Sequence, residues 1–286
     1  MNGWSAEDVR AVTSGRWIQR PNHPVYLQGL GIDTRQPLAG QAYVAIVGDT
    51  HDGHKYANEA AEAGARLIVI EEGRDVTIAS DGPAVIAVPD ARRALGQLAR
   101  AHRRSLAGTK VIAVTGSVGK TTTKRLIHAT LSAAIKGREA PRSYNNDIGV
   151  PLSLLAAQPS DRYIVLEVGT SSKGEIAKLG EIVEPDIAVI TAIGRAHLEG
   201  LGTLEEVAAE KASLLRFLRP DGTAIINAEA PHLEAHLRID ELVVTYGETE
   251  VADLRLTDRG EVDSVESNDA RWWFEINNRQ HFRIRL

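Results

Sequence analysis

Apolar residues in this chain occur in short runs that alternate with segments of helical periodicity. Several runs are apolar without alternation, as expected for strands that are covered on both faces. The predicted strands are 43–47, 66–70, 84–88, 110–115, 163–168, 186–191, 223–226 and 242–245. The predicted helices are 57–63, 91–106, 121–134, 175–183, 204–218 and 231–237. This alternation is typical of parallel sheets with helices on both faces, so we predict an α/β fold.

The last part of the chain has a different pattern. From residue 252 onward the sequence has short segments with turn-like breaks such as DRGEVDS and NNRQ. Residues 271–276 and 281–286 predict the two strands of a hairpin. We place a domain boundary near residue 90, before the helix that leads into the predicted strand 110–115. The expected organisation is a small N-terminal α/β domain (1–90) and a larger domain (91–286) with a mostly parallel sheet and a short C-terminal β segment.

Composition narrows the classes of protein that fit. The 286 residues are 43% hydrophobic and carry a net charge of −5, which argues against disorder and against a generic nucleic-acid binder. The absence of cysteine excludes disulfides, zinc–thiolate sites and thiol catalysis. The first twenty residues are charged and lack an apolar stretch, and no run approaches about 18 apolar residues. We therefore expect no signal peptide, no membrane span and a cytoplasmic location.

The strongest chemical signal is the sequence VIAVTGSVGKTTTKRLI, in which an apolar strand runs into a glycine-rich turn and then a helix. Glycines let the backbone aim its N–H groups at phosphate oxygens, and the helix N-terminus adds positive potential. Lys120 is expected to reach the β- and γ-phosphates, and the Thr121 hydroxyl is suited to Mg²⁺. The turn has the short form T-G-x-x-G-K-T, because position 114 is valine where the longer motif has glycine.

Two further strand ends carry groups that suit a metal. Glu167 closes the strand RYIVLEVG, and His197 follows DIAVITAIGRAH. In an open parallel sheet, ligands bind at the carboxyl ends of the strands, so both residues are expected near the phosphate loop. Carboxylate oxygen suits Mg²⁺, whereas imidazole is a less usual ligand. Spacing alone gives Lys211 no role and favours a solvated helix lysine that pairs with Glu206 or Glu210.

With these residues, the sequence resembles the Mur ligases, the ATP-dependent amide-forming enzymes of peptidoglycan synthesis. The resemblance covers nearly the whole chain, in the correct order and spacing. The matching stretches are GIDTR (31–35), GDTHDGHKY (48–56), TGSVGKTT (115–122), YNNDIGVPLSLL (144–155), LEVGTSSKGEIA (166–177), ITAIGRAHLEGLGTLEEVAAEK (190–211) and INAEAP (226–231). The stretches NNDIGVP and GEIA are similar to the member that joins D-alanyl-D-alanine to UDP-N-acetylmuramoyl-tripeptide.

The resemblance implies roles that spacing could not supply. Residues matching the ATP site are Thr115, Gly116, Ser117, Val118, Gly119, Lys120, Thr121 and Thr122, with Asn227 matching the adenine contact. Residues matching the Mg²⁺ site are Thr121, Glu167, His197 and Lys211, the last as a carbamylated lysine that replaces the surface-lysine interpretation. Residues matching the UDP-substrate site are Asp33, Thr34, Arg35, Asn145 and Asn146. Residues implied in catalysis are Lys120, Lys211, His197 and Asn146.

The reaction implied by the resemblance uses ATP, Mg²⁺, UDP-MurNAc-peptide and D-Ala-D-Ala, and we expect a monomer. Some positions depart from the family. Ser171 and Ser172 stand where many relatives have Asn-His, Thr50 stands where arginine is common, and NAEAP replaces the usual N-x-D-D-P. The family continues beyond the equivalent of HFRIRL into a third domain that selects the amine, and we expect this chain to lack it.

Three alternatives remain open from the sequence. Because the amine-selecting residues belong to the third domain, the chain is also compatible with a Mur ligase that adds an amino acid to a UDP-linked dipeptide, or with folylpolyglutamate- or cyanophycin-type ligation. The match of Asp33, Thr34 and Arg35 favours a UDP-muramoyl substrate over folate. A non-catalytic ATP-binding module, or the partner of a separately encoded third domain, is the remaining alternative.

Overall fold

The computed structural model describes residues 3–48, 50–141, 144–195, 198–237, 242–262 and 271–285. Its N-terminal part forms a five-stranded sheet with the order β2-β7-β6-β5-β4, in which β2 is antiparallel to β7 and the other pairs are parallel. The elements of this part are β1 (Trp4–Ser5), α1 (Ala6–Thr13), β2 (Arg16–Gln19), β3 (Tyr26–Leu27), β4 (Leu30–Gly31), β5 (Ala42–Val44), α2 (Ala57–Glu62), β6 (Leu67–Glu71) and β7 (Ala84–Val88), with a 3₁₀ turn at Gly53–Tyr56.

The remainder of the chain builds a nine-stranded sheet. Its elements are α3 (Ala91–Ser105), β8 (Lys110–Thr115), α4 (Lys120–Ser132), β9 (Arg138–Glu139), α5 (Gly149–Leu155), β10 (Tyr163–Glu167), α6 (Glu175–Val183), β11 (Ile187–Ile190), α7 (Leu198–Leu201), α8 (Leu204–Ala212), β12 (Thr223–Asn227), β13 (Leu242–Gly247), β14 (Leu254–Val262), β15 (Arg271–Ile276) and β16 (Gln280–Arg285). The strand order is β16-β15-β14-β13-β12-β11-β8-β10-β9. The pairs from β9 to β14 are parallel, and β14, β15 and β16 are antiparallel neighbours. The α/β class, the mostly parallel sheet and the C-terminal hairpin predicted from the sequence are therefore confirmed.

Helix α3 lies between the two sheets. It begins after Asp90, whose carboxylate accepts a hydrogen bond from the Arg93 N–H and so caps the helix. Its residues Leu95 and Leu98 are fully buried. The helix packs against α1 on one side and against α5 and α6 on the other. One apolar core therefore runs from the small sheet through α3 into the large sheet.

Three details differ from the sequence-based expectation. The helix expected over 204–218 ends at Ala212 and continues as a 3₁₀ segment, Ser213–Phe217, because the chain tightens where the Ser213 hydroxyl bonds to the Glu210 carbonyl. The segment expected as a helix over 231–237 is the 3₁₀ turn Pro231–His236. Elements that were not predicted are the helices α1, α5 and α7 and the strands β1, β2, β3, β4, β9 and β14. Within the described ranges, no helix has the length and apolar character needed to cross a bilayer.

Candidate active site

The phosphate loop follows β8, which lies inside the large sheet between β11 and β10. The chain leaves β8 after Thr115, turns through Gly116 and Gly119, and enters α4 at Lys120. Gly119 has a φ of 84°, a left-handed conformation that glycine adopts at little cost. A Cβ atom at Gly116 would overlap with the hydroxyl of Thr191, which packs directly against the loop. Both glycines are therefore required by the local geometry.

The segment after β11 fixes the loop from one side. The Ser117 hydroxyl donates to the carbonyl of Gly194 at 3.0 Å and accepts from the Gly194 N–H at 3.0 Å. The Thr191 hydroxyl donates to the Val118 carbonyl at 2.6 Å. The Val118 side chain itself is 65% exposed. The loop therefore has an anchored backbone and an open outer surface, as a phosphate cradle requires.

The side chains of the loop divide into supporting and accessible groups. The Lys120 ammonium donates to the Gly116 carbonyl at 2.9 Å, and Thr122 is exposed on the first turn of α4. Thr115 is completely buried, and its carbonyl accepts a hydrogen bond from the Thr191 hydroxyl at 3.3 Å. An anchored glycine turn, a helix N-terminus and a lysine together form an anion-binding arrangement.

Glu167 joins the phosphate loop to the neighbouring strand. It ends β10 beside Val114 of β8 and is only 5% exposed. One of its carboxylate oxygens accepts a hydrogen bond from the Thr121 hydroxyl at 2.7 Å, and the other accepts from the Asn145 amide at 3.1 Å. The structure thus brings together three residues that lie far apart in the sequence.

The oxygen donors at this place fit Mg²⁺. Thr121 supplies a hydroxyl and Glu167 a carboxylate, which are hard ligands of the kind that Mg²⁺ prefers. No group of three or more histidine, aspartate or glutamate side chains able to hold a metal exists in the described ranges. Mg²⁺ is commonly bound through one or two protein carboxylates, with substrate phosphates and water completing its shell. His197, the other predicted ligand, lies outside the described residues.

Lys211 is buried inside the protein, contrary to the surface-lysine interpretation that spacing alone favours. Its side chain lies on α8 and is 1% exposed. Burial lowers the pKa of Lys211 to about 8; the nearby Lys120 charge acts in the same direction, and Glu210 opposes both. The effect of the Lys120 charge on this pKa means that Lys211 lies within electrostatic range of the phosphate-loop lysine. A buried lysine amine with a lowered pKa has a larger neutral fraction near neutral pH than a solvated lysine has.

The acidic neighbours of Lys211 are engaged elsewhere. Glu206 bonds to Lys173 and closes the capping box that starts α8. Glu210 accepts hydrogen bonds from the backbone N–H groups of Gly174 at 2.7 Å and Ile176 at 2.9 Å, at the N-terminus of α6. These bonds tie α8 to α6 and hold Lys211 on the inner face of its helix.

The two asparagines of the stretch YNND have different surroundings. Asn145 reaches Glu167 with its side chain, and its carbonyl accepts from the Gly169 N–H at 2.8 Å. The Asn146 carboxamide oxygen accepts from the Gly149 N–H at 2.9 Å and from the Ile148 N–H at 3.3 Å, and so supports the start of α5. Asn145 therefore contacts the Glu167 carboxylate, whereas Asn146 stabilises the start of α5.

A cleft of about 510 Å³ opens beside Lys120 of the phosphate loop. Its lining comprises Lys120, Asn145, Asn146, Asp147, Gly169, Thr170, Ser171 and Glu175, with Arg92 from α3 and Lys178, Leu179 and Ile182 from α6. Arg92 donates to the Val47 carbonyl at 3.0 Å and to Asp147 at 3.0 Å, so it links the small sheet to this cleft. Sequence reasoning missed Arg92 and Lys178, which stand in no motif; Asp147 lies within a matching stretch.

Asn227, the predicted adenine contact, stands at the carboxyl end of β12. Its side-chain oxygen accepts from the Glu229 N–H at 2.7 Å, which shapes the turn that follows the strand. Glu229 in turn accepts from the backbone N–H groups of Glu248 and Thr249. Asn227 does not line the cleft described above, and its contact with adenine stays a prediction.

The residues 33–35 form a turn after β4, at the edge of the small sheet. Arg35 donates to Asp33 through its side chain at 2.8 and 2.9 Å and through its backbone N–H at 3.0 Å. The bonded guanidinium of Arg35 holds the pKa of Asp33 below its usual value. The Thr34 hydroxyl donates to Glu59 at 3.3 Å. Asp33 thus fixes the turn. The Arg35 side chain remains largely exposed although it forms this ion pair.

A family model described as the Mur ligase middle domain matches residues 114–282, and one described as the catalytic domain of the Mur ligase family matches residues 26–103. The UDP-N-acetylmuramoyl-tripeptide–D-alanyl-D-alanine ligase of Bacillus subtilis is 38% identical over 230 residues, which cover 80% of this chain and 50% of that protein. The Escherichia coli ligase of the same name is 37% identical over 205 residues, covering 72% and 44%.

Solved structures that are similar to this chain include MurF proteins. A crystal structure of MurF from Acinetobacter baumannii superposes with a TM-score of 0.83 at 28% identity, over 100% of this chain and 61% of that one. MurF from Thermotoga maritima in complex with ADP superposes with a TM-score of 0.77 at 28% identity, covering 90% and 57%. The chain spans about half the length of the curated relatives it matches. The middle-domain model matches more than half of the residues of this chain, and this chain therefore belongs to the Mur ligase family.

Proposed function

We propose that this chain forms the nucleotide-binding part of an ATP-dependent ligase that joins D-alanyl-D-alanine to UDP-N-acetylmuramoyl-tripeptide. The observation that carries the proposal is the contact of Thr121 and Asn145 with the Glu167 carboxylate, directly beside an anchored phosphate loop. The curated relatives compared above carry the name of this activity, and the MurF from Thermotoga maritima was solved with ADP.

In the proposed reaction, the terminal carboxylate of the UDP-linked peptide attacks the γ-phosphate of ATP in line. The backbone N–H groups of the loop and Lys120 hold the phosphates and spread the charge that develops on the γ-phosphoryl oxygens. Thr121, Glu167, His197 and a carbamylated Lys211 would hold Mg²⁺, which neutralises phosphate charge when bound. The resulting acyl phosphate is attacked at its carbonyl carbon by the neutral amine of D-Ala-D-Ala, phosphate leaves as the nitrogen loses a proton, and the amide and ADP remain.

The remaining site residues complete the proposal. Asn227 would contact adenine, Asn145 and Asn146 would line the path of the UDP-linked substrate, and the turn at residues 33–35 would bind the uridine nucleotide. All of these residues belong to one chain, so the proposed site needs no second copy, and we propose a monomer. ATP and UDP-linked precursors are cytoplasmic compounds, which favours a cytoplasmic location.

The proposal is tested by measuring substrate binding first and the complete reaction afterwards. Calorimetry should detect binding of Mg²⁺-ATP and of UDP-MurNAc-tripeptide to the chain. ADP release should then depend on D-Ala-D-Ala when a third domain from a related ligase is supplied, because closure over ATP completes such sites. Release that depends on a single amino acid, or on folate, would support one of the other ligases. ATP binding without any turnover, even with that domain present, would support a non-catalytic module.

The turn at residues 33–35 gives a separate prediction. Replacing Thr34 and Arg35 by alanine should weaken UDP-MurNAc-tripeptide binding by about 10-fold for each lost hydrogen bond to a charged group, and should leave ATP affinity unchanged. Asp33 is left in place because it fixes the turn. An Arg74→Ala variant, which removes another partly exposed arginine of the small sheet, serves as the control. Unchanged UDP-substrate affinity in both Thr34→Ala and Arg35→Ala would remove this turn from the site.

A further inference from the structure

Lys124 is a second buried lysine near the site, and no role described above uses it. It lies on α4, one turn after Lys120, and is 1% exposed. Its ammonium donates to the Ala140 carbonyl at 2.6 Å and lies 3.5 Å from the Pro141 carbonyl. A buried ammonium loses its hydration and is unfavourable unless hydrogen bonds replace the water. Here the replacing groups are backbone carbonyls of one segment, the segment that follows β9.

In the sequence, that segment precedes Asn145, which lies four residues after Pro141. Its start is held in the sheet, where the Ala140 N–H donates to the Val165 carbonyl at 2.8 Å. Its other end carries Asn145, which reaches the Glu167 carboxylate. Glu167 is bonded in turn to Thr121, which lies on the same helix as Lys124. Helix α4 therefore makes two contacts. Lys124 binds the carbonyl of Ala140 at the start of the segment, and Thr121 binds the carboxylate that Asn145 also contacts.

From these contacts we propose that Lys124 is a positioning residue, which sets Asn145 against Glu167 and thereby orients the carboxylate for the metal-bound nucleotide. The inference rests on the proposed function, because it assumes that Glu167 faces Mg²⁺-ATP. Groups that orient a metal ligand through a hydrogen bond commonly change metal affinity by about 10- to 100-fold when they are removed. Lys124 acts one contact further away, so we expect a loss at the lower end of that range.

Arg103, another fully buried cation among the described residues, has a different environment. Arg103 pairs with the Asp186 carboxylate at 2.6 Å and also bonds to the backbone of Val183 and Glu184. Those contacts join α3 to the start of β11, far along the strands from the phosphate loop. Within the described ranges Lys124 forms no ion pair with a carboxylate; its ammonium acts on the segment that carries Asn145.

The test is a double-mutant cycle on nucleotide affinity, measured by calorimetry with Mg²⁺-ATP and with ATP in the presence of EDTA. Lys124→Met should weaken Mg²⁺-ATP binding by about 10-fold and leave metal-free ATP binding unchanged. Asn145→Ala should weaken it at least as much, and the double variant should equal Asn145→Ala, because Lys124 acts through Asn145. Arg125→Met, which changes the exposed neighbour on the same helix, is the control and should match wild type.

Chemical rescue keeps the test decisive if Lys124→Met does not fold. The chain has no cysteine, so Lys124→Cys can be alkylated at a single thiol in denaturant and refolded. An aminoethyl group, which restores the ammonium, should recover the Mg²⁺-ATP affinity, whereas a propyl group of the same length should not. Wild-type affinity in Lys124→Met, additive losses in the double variant, an equal loss for metal-free ATP, or equal rescue by both groups would overturn the inference. Failure of the wild-type chain to bind Mg²⁺-ATP would overturn the proposed function and this inference together.

Discussion

Replacing Lys120 by alanine is expected to lower the affinity for Mg²⁺-ATP by about 100-fold, because a charge-assisted hydrogen bond to phosphate contributes roughly 2–3 kcal/mol. The fold should survive the change. Among the described residues, the Lys120 side chain bonds only to the carbonyls of Gly116 and Ser117, and the loop is anchored independently by Ser117 and Thr191. Calorimetry with Mg²⁺-ATP measures the loss, and thermal unfolding should give an unchanged midpoint.

The control for this prediction is Lys136→Ala. Lys136 is an exposed lysine shortly after α4 whose ammonium bonds to the Ser160 hydroxyl, away from the loop. It removes the same charge from the protein, so any general electrostatic effect on a nucleotide of high negative charge appears in both variants. Equal Mg²⁺-ATP affinity in wild type and Lys120→Ala would contradict the assignment of this loop to ATP phosphates.

The parts of the fold that the sequence predicts well are those with an unambiguous burial pattern. Strands such as Lys110–Thr115 are apolar on both faces because helices cover both sides of the sheet, and their bounds were predicted correctly. Helix α5 was missed because it has only seven residues and contains Pro151, a residue that usually ends a helix. Pro151 is tolerated there because it lies in the first turn, where backbone N–H groups have no partner within the helix.

Strand β14 was missed for a different reason. It joins the sheet beside β13 through a short parallel contact and then turns into the antiparallel hairpin partner of β15. Its sequence, LRLTDRGEV, mixes charges with few apolar residues, so it carries no strong periodicity of its own. Pairing with its neighbours decides its conformation, which local sequence cannot report.

Residues of the candidate site also differ in how well the sequence predicts them. The phosphate loop was predictable because strand, glycines, lysine and helix follow each other in the chain. The bond between Asn145 and Glu167 was not, since it joins residues that only the sheet order brings together. For Lys211, helical spacing favoured a solvent-exposed ion pair, and only the family resemblance implied a role. The structure buries it because Glu210 is bound to the start of α6 and turns the next residue inward.

The burial of Lys211 predicts a pH dependence of stability. Its pKa in the folded chain is about 8, against a usual value of 10.5, so between these pH values the unfolded chain holds more protons than the folded one. The free energy of unfolding should therefore rise with pH over this window in CO₂-free buffer. The full difference corresponds to roughly 3 kcal/mol. Urea unfolding at pH 7 and pH 10 should show the rise in wild type, and Lys211→Met should reduce it.

The same environment favours carbamylation of Lys211. The reaction joins the neutral amine nitrogen to CO₂ and releases one proton, so it requires the deprotonated lysine. Half of the chains carry that form at a pH equal to the pKa, about 8. The product is a carboxylate-like anion, which would be attracted to Lys120 and to a divalent cation, whereas a free ammonium would repel the cation. Carbon-13 NMR with labelled bicarbonate should detect a carbamate signal that Lys211→Ala abolishes and that Lys173→Ala, at an exposed lysine, retains.

Loss of this anion should have the largest effect on ligation. In a ligase that carries this chain together with a third domain, Lys211→Ala should reduce the rate by about 100-fold or more, as expected when a preorganised charge is removed from a phosphoryl-transfer site. Added acetate or formate should restore part of the rate, because a short carboxylate can occupy the space that the shortened side chain leaves. Lys173→Ala should ligate normally. Wild-type-like ligation by Lys211→Ala, with no carboxylate added, would show that this lysine fills the core without taking part in the reaction.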